Sequence, residues 1–383
     1  MKVAIIGLIE AGNLGDDLIF VGLLKALSEN PDIDEVVHLS FGESLSLEEF
    51  NIRLGGSAAR QAVPAPSEFL SPRRRRRLFS SADIAIFGGG GLLQDVHHPL
   101  RPYHWLRYLP PGVPAVAVGI GIGPLSRRWY IAFQLARSPF TRVLVRDDES
   151  LRLAGEFGWP AERCSDFVSP AFLAGLVSRL EVSLEDSGAD AVLGVSVREW
   201  PGLADSEIAQ RVRVLTRRHS CNLVCIFVLE AKRGSGIDVD QAYRVSALLD
   251  SRVRISVYDP RDPAAFLRDM ASCTVALSMK LHASAIWGAF GVPIYPIIYA
   301  PKTASLFGRP YTGLEIVDEA LTPLLFDDSV PYAGEALLDS LPSVGCRRDS
   351  RSSLLLRFFE SVAQIMTVLF NSFRVVRSVC RRL

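Results

Sequence analysis

The sequence predicts an α/β protein made of two doubly wound domains that face one another across a cleft. Three observations predict it. Short aliphatic runs recur along the chain, and each is followed by a helix-length segment with apolar residues at helical spacing, the pattern of buried parallel strands covered by helices. The chain has 383 residues, which is long for a single hydrophobic core, so two such domains are expected. Several of the strands also run into glycine-rich or charged turns, and an open α/β sheet holds its ligand outside the carboxyl ends of its strands.

Composition narrows the class. Hydrophobic residues make up 49% of the chain, and Lys plus Arg balance Asp plus Glu to a formal net charge of +0. That describes a globular protein with no overall attraction to nucleic acid. The cysteines (Cys164, Cys221, Cys225, Cys273, Cys346 and Cys380) are scattered. Cys221 and Cys225 are the only close pair, and Cys225 sits in an apolar run, which argues against a metal or disulfide framework and for a reducing cytoplasmic compartment. Val3-Ala4-Ile5-Ile6-Gly7 directly after Met1-Lys2 reads as a first buried strand rather than a signal peptide. No run reaches the ~18 apolar residues of a spanning helix.

In order, residues 3–7 form a strand and residues 8–15 a loop. A helix then runs from Asp16 or Asp17 to about Glu29, with Ile19, Leu23, Leu24 and Leu27 on one face. A strand at 36–40 completes a βαβ unit, the building block of a Rossmann-like domain. The loop glycines Gly7, Gly12 and Gly15 do not have the spacing of a dinucleotide fingerprint, although they let a ligand approach the backbone. Asp16 either caps the helix or contacts a substrate hydroxyl.

Residues 55–71 are small and Pro-rich, and the arginine run 73–77 is either a solvated face or a contact for an anionic lipid or substrate. The strand at 83–87 ends in Gly88-Gly89-Gly90-Gly91-Leu92-Leu93-Gln94-Asp95. Consecutive glycines weaken regular structure, so Gly89 and Gly90 are expected in a substrate-binding loop, with Asp95 as a polar contact or base. A strand at 115–119 leads into Ile120-Gly121-Ile122-Gly123-Pro124, where Gly123 marks a second such turn. A strand at 143–145 precedes Arg146-Asp147-Asp148 and a helix to about Phe157.

The first domain is assigned residues 1–180, and the polar stretch 181–190 reads as a linker. The second, residues 190–345, alternates strands at 191–197, 223–229, 254–258, 274–278 and 294–299 with helices at 205–219, 239–249, 263–271 and 282–289. Its strand 274–278 delivers Lys280 and His282 to a helix N-terminus. A fixed cation and a group titrating near neutrality beside free N–H groups suit a phosphate or carboxylate with an acid/base at hand. A lone His or Lys there also has a plain structural reading, as a cap or a solvated charge. Residues 350–383 form a basic, strongly apolar helical tail, which lies on a membrane surface or packs back across the domains.

Taken in order, these motifs resemble the polysaccharide pyruvyltransferase family. The resemblance rests on Gly12-Asn13-Leu14-Gly15-Asp16, Gly88 to Asp95, Gly121-Ile122-Gly123-Pro124, Val145-Arg146-Asp147, Gly194-Val195-Ser196-Val197-Arg198 and Lys280-Leu281-His282. It implies a glycosyltransferase-B-like pair of Rossmann-like domains, the first on the acceptor side and the second on the donor side. It further implies transfer of the pyruvyl group of phosphoenolpyruvate to two sugar hydroxyls as a ketal, with phosphate released. The family's Arg-Leu-His is Lys280-Leu281-His282 here, which keeps a charge but loses a bidentate fork. Its Asp-Pro-Ala is Ser169-Pro170-Ala171, with Asp166 nearby. Its Tyr-Asp-x-Lys is Tyr299-Ala300-Pro301-Lys302.

On this resemblance Lys280 and Arg198, with Lys302 as a weaker candidate, hold the donor. His282 protonates its methylene carbon, and Asp95 takes a proton from the acceptor. No metal or cofactor beyond the co-substrate is called for, because cationic side chains can take the charge. The acceptor is a surface polysaccharide or its lipid-linked precursor, met at the cytoplasmic face of the membrane. Two other readings stay open: a glycosyltransferase with a nucleotide-sugar donor, and a non-catalytic partner in polysaccharide assembly.

Overall fold

The structure is a computed structural model. It describes residues 1–42, 45, 59–64, 79, 81–95, 105–106, 108–110, 112–125, 140–168, 170–179, 191–230, 237–323 and 330–341. The arginine run 73–77, the linker 181–190, Ser169 and the tail 350–383 lie outside these residues. Among the described residues no helix is long and apolar enough to cross a membrane.

The first domain carries β1 (Lys2–Ile6), α1 (Leu14–Ser28), β2 (Glu35–Ser40), β3 (Ala59–Pro64), β4 (Ile84–Leu93), β5 (Ala115–Ile122), β6 (Arg142–Val145), α2 (Asp148–Glu156), β7 (Ala161–Arg163) and α3 (Pro170–Arg179). Its seven strands pair in the order β3-β2-β1-β4-β5-β6-β7, and every neighbour is parallel.

The second domain carries β8 (Val192–Ser196), α4 (Asp205–Arg218), β9 (Leu223–Val228), α5 (Ile237–Ala247), β10 (Val253–Val257), α6 (Pro263–Ala271), β11 (Val275–Ser278), α7 (Leu281–Ala289), β12 (Ile294–Ile298), α8 (Pro301–Leu306) and β13 (Glu315–Ile316), with α9 (Ala333–Leu338) beyond. Its sheet runs β10-β9-β8-β11-β12-β13, parallel except where β13 meets β12. Strand order reverses beside β1 in one sheet and beside β8 in the other, and these switch points are where such sheets open a ligand crevice.

Several elements depart from the sequence expectation. The helix α1 starts at Leu14, and its N-cap is Asn13, whose side chain accepts from Gly15 N at 3.0 Å. Asp16 is therefore not the cap; it sits in the first turn. β4 does not end at Phe87 but runs through all four glycines to Leu93, with parallel β1 alongside as far as Phe87 and parallel β5 alongside the glycines. Gly89 and Gly90 are thus strand residues rather than a loop. The short edge strand β3 forms in the small, Pro-rich stretch.

One helix crosses back to the first domain. Although residues 330–341 fall in the range given to the second, Pro331 O accepts from Ser165 N at 3.0 Å. Tyr332 OH donates to Phe167 O at 3.2 Å. Gly334 in α9 packs on Ala26 of α1, where an added Cβ would lie 3.0 Å from the alanine methyl.

The two domains also share a core. Leu14, Leu18 and Phe20 belong to the same buried cluster as Phe227, Tyr258 and Trp287. Two polar links cross it: Leu14 N donates to Leu229 O at 3.0 Å, and Tyr258 OH donates to the fully buried Asp17 at 2.9 Å. Burial, first of all, pushes the Asp17 carboxyl up to about 7, against the bonds from Tyr258 and Glu10 N that favour its charge. Removing a donor from a buried acceptor costs about 1–3 kcal/mol, so Tyr258→Phe should lower the urea midpoint by that equivalent without changing the slope. The raised carboxyl makes its contribution in full below its ordinary value of 3.8 and loses it as pH rises through about 7. An unfolding series between those limits should be flatter in Asp17→Asn; an unchanged slope would remove Asp17 from the account.

A candidate active site in the interdomain cleft

Two turns meet across the cleft: the one entering α1 and the one entering α7. Their contact is close enough to dictate a residue. A Cβ added to Gly15 would fall 2.0 Å from His282 Nδ1, so the imidazole lies directly on the backbone of the first domain. The glycine run plays a related part. Gly89 and Gly90 have φ of 76° and 74°. Their added Cβ atoms would fall 1.9 Å from Ile19 Cγ2 and 3.0 Å from Asp16 Oδ1. These glycines let α1 settle on β4 and seat the Asp16 carboxylate over the strand. Packing accounts for Gly89 in full. Burial raises the Asp16 carboxyl to about 6, with Glu230 and Asp166 adding to the rise and His282 and Arg146 opposing it.

Beside Asp16 lies a pair given no role by the sequence. Arg146, at the end of β6, donates from Nη1 to Asp166 Oδ2 at 2.9 Å. Gly121 leaves room for it; a Cβ there would meet Arg146 Nε at 3.1 Å. Burial works against the arginine's charge, but Asp166 and Asp147 outweigh it and hold its pKa above the ordinary value. Burial likewise opposes ionisation of Asp166, and His282 and Arg146 overcome that to keep its carboxyl far below the usual range. His282 Nε2 is 3.9 Å from Asp166 Oδ2, an ion-pair distance too long for a hydrogen bond. Arg146 Nε and His282 Nε2 are both buried without a hydrogen-bond partner, and buried polar groups left so call for an explanation.

The second domain supplies three cations. Lys302, in the first turn of α8, is brought down from 10.5 to about 7 by burial and then by Arg198, Arg146 and Lys280, with Asp16 opposing. These groups are close enough to repel one another. Arg198, after β8, lies beside the buried Tyr299 hydroxyl. Lys280 occupies the N-cap position of α7, and its ammonium pairs with Asp238 at the start of α5. Much of its charge is thereby answered within the protein. Buried serines fix this turn: Ser284 Oγ donates to Ser278 Oγ at 2.8 Å, and Met279 N donates to Ser196 Oγ at 3.2 Å.

The expected residues are therefore not all together. Gly15, Asp16, Gly90, His282, Lys280, Arg198 and Lys302 converge. Asp95 follows the glycine run of β4. It is buried at the end of β4, where its N–H donates to Pro124 O at 3.3 Å. Gly123 turns with φ of 93° against Leu153, again beside β4 and β5. Arg146, Asp166 and Asp238 are the partners that sequence reading left without roles. The one signal for Arg146 was its position, directly after a buried strand and before a helix.

From the Arg146, Asp166 and Lys302 end, a cleft of about 770 Å³ opens outward between the domains. No curated protein matches the sequence. Residues 13–301, however, match the family described as polysaccharide pyruvyl transferase. The chain belongs to the polysaccharide pyruvyl transferase family. That match spans both domains and takes in Arg146, Arg198 and Lys280, ending one residue before Lys302.

Solved structures agree on the fold of this pyruvyl transferase family member. The UDP-GlcNAc 2-epimerase of Methanocaldococcus jannaschii is similar with a TM-score of 0.57 at 11% identity, over 88% of this chain and 99% of that one. The same enzyme in complex with UDP-GlcNAc and UDP gives 0.53 at 12% identity over the same shares. The S. aureus MnaA–UDP structure gives 0.51 at 13% identity over 82% of this chain and 84% of that one. At such identities the likeness is one of fold: two Rossmann-like domains in the glycosyltransferase-B arrangement.

Proposed function

We propose that the protein transfers the pyruvyl group of phosphoenolpyruvate to two hydroxyls of a sugar, in a surface polysaccharide or its lipid-linked precursor. The observation that carries this reading is the set of cations from both domains, with Arg146, Arg198 and Lys280 acting on Lys302, beside Arg146 Nε and His282 Nε2, which are buried without a hydrogen bond. A small molecule bearing both a phosphate and a carboxylate satisfies such a site.

His282 is then the acid that protonates the methylene carbon, with ionised Asp166 as the counter-charge when the ring carries the proton. The electron-poor C2 accepts a sugar hydroxyl, whose proton passes to Asp16. This carboxylate, beside His282 and raised to about 6, takes the role that the sequence had given to Asp95. The C2–O bond to phosphate breaks, and the second hydroxyl closes the ketal, its proton leaving with the phosphate. The sum is one methyl ketal and one hydrogen phosphate.

Thermal unfolding tests the donor first. Phosphoenolpyruvate at ~100-fold excess over Kd should stabilise the chain by ~2.7 kcal/mol. Lys302→Ala, which relieves repulsion and so folds, should abolish the shift. His282→Ala should keep much of the binding and lose turnover by roughly 10²–10⁴-fold. Stabilisation by a nucleotide sugar but not by phosphoenolpyruvate would replace this reading with a glycosyltransferase.

A further inference from the structure

The cleft is far larger than a three-carbon acid requires. Its 770 Å³ falls in the upper part of the range of about 300–1,000 Å³ that encloses a drug-sized ligand. Arg146, Asp166 and Lys302 line it. Arg309 and Tyr311 of the second domain line it as well.

Tyr311 is unusual there. Its side chain is held, because the hydroxyl donates to Tyr299 O at 2.9 Å, yet the residue remains 41% exposed. The segment that carries it is braced as well, with Arg309 Nη2 on Glu315 at 2.9 Å and Nη1 within 3.6 Å of Glu319. Tyr299 in turn packs on Trp200 with ring centroids 4.6 Å apart and adjoins Arg198. The exposed ring is thus fixed relative to the cation cluster through one intermediate residue. On the first-domain wall of the cleft stand Asp147, whose Oδ1 accepts from Ser150 N at 2.7 Å as the cap of α2, and Asp148, whose Oδ1 pairs with Arg163; each keeps its Oδ2 for a ligand.

A rigid aromatic face opposite carboxylates is the arrangement that suits a pyranose. Its C–H face packs on the ring while its hydroxyls donate to the acids. We propose that Tyr311 is the stacking platform for the acceptor sugar and that Asp147 and Asp148 read its hydroxyls. This deepens the pyruvyl transfer reading and rests on it: donor and acceptor share one cleft, with the sugar outward of the phosphoenolpyruvate. A nucleobase could also stack on Tyr311, but it would bring no row of hydroxyls to the opposite wall.

Saturation-transfer NMR on the full chain tests this, with methyl β-galactoside, methyl β-glucoside and methyl N-acetyl-β-mannosaminide as probes and uridine as control. Calorimetry with phosphoenolpyruvate runs alongside. At least one sugar should receive saturation on its ring protons. Tyr311→Ala should weaken that sugar by about fivefold, the effect of one aromatic contact. Tyr311→Trp should retain the sugar, and phosphoenolpyruvate affinity should be unchanged in both variants. No sugar contact, contact indifferent to Tyr311→Ala, or contact by uridine alone would overturn the platform. Sugar contact that depends on Tyr311 in a protein that binds no phosphoenolpyruvate would sink the donor reading and leave the platform standing.

Discussion

Replacing Gly15 by alanine should lower phosphoenolpyruvate-dependent turnover by about a hundredfold, the cost of moving a reacting group by an ångström or so. The added methyl would lie 2.0 Å from His282 Nδ1 and 2.8 Å from Cγ. Both are atoms of a rigid ring set on the first turn of α7, not the tip of a flexible chain, so the ring must shift. The helix α1 itself should be unharmed, since alanine favours helix over glycine by up to about 1 kcal/mol. The decisive experiment is a double-mutant cycle on residual turnover. Gly15→Ala should cost almost nothing in a His282→Ala background, because the group it displaces is already gone. Equal losses in both backgrounds would mean that the methyl acts on something other than His282.

The affinity for phosphoenolpyruvate should fall toward tenfold per pH unit above about 7, and Lys302 should be the cause. Burial and then the repulsion of Arg198, Arg146 and Lys280 bring its amine down from 10.5 to about 7. Above that pH the unliganded site holds a neutral amine. An anion bound among the cations restores the charge, so binding takes up a proton and weakens as protons become scarce. Calorimetry at pH 8 in two buffers of different ionisation enthalpy should show uptake approaching one proton. Lys302→Arg, which stays charged, should flatten the profile; the same slope in that variant would clear Lys302. Stability without ligand should move the other way, rising between about 7 and 10.5, where the unfolded chain binds the proton and the folded site does not.

Much of the architecture was legible because buried parallel strands and their helices write their burial into the sequence. Val3 to Ile6, Val275 to Ser278 and Ile294 to Ile298 are runs that only a sheet covered on both faces explains. The glycine ends of β4 and β5 were not legible. Glycine has poor strand propensity, and only pairing with neighbouring strands holds it there: β5 for the glycines of β4, and β4 and β6 for those of β5. The edge strand β3 reads Ala-Arg-Gln-Ala-Val-Pro, which carries no apolar run.

At the site the sequence by itself marked residues delivered by strand ends: Asp16, Arg198, Lys280, His282 and Lys302. Chain order sets which side chain follows which strand, so a local pattern suffices to find them. Only the tertiary structure decided their charges and partners. Arg146 meets Asp166 because β6 and β7 are neighbours in the sheet. Lys280 loses much of its field to Asp238 because α5 begins beside the α7 turn. Gly15 must lack a side chain because His282 arrives from the other domain. Coulombic interaction and steric exclusion act over a few ångströms in space, and 267 positions of sequence separate Gly15 from His282, so no local pattern could have shown their contact.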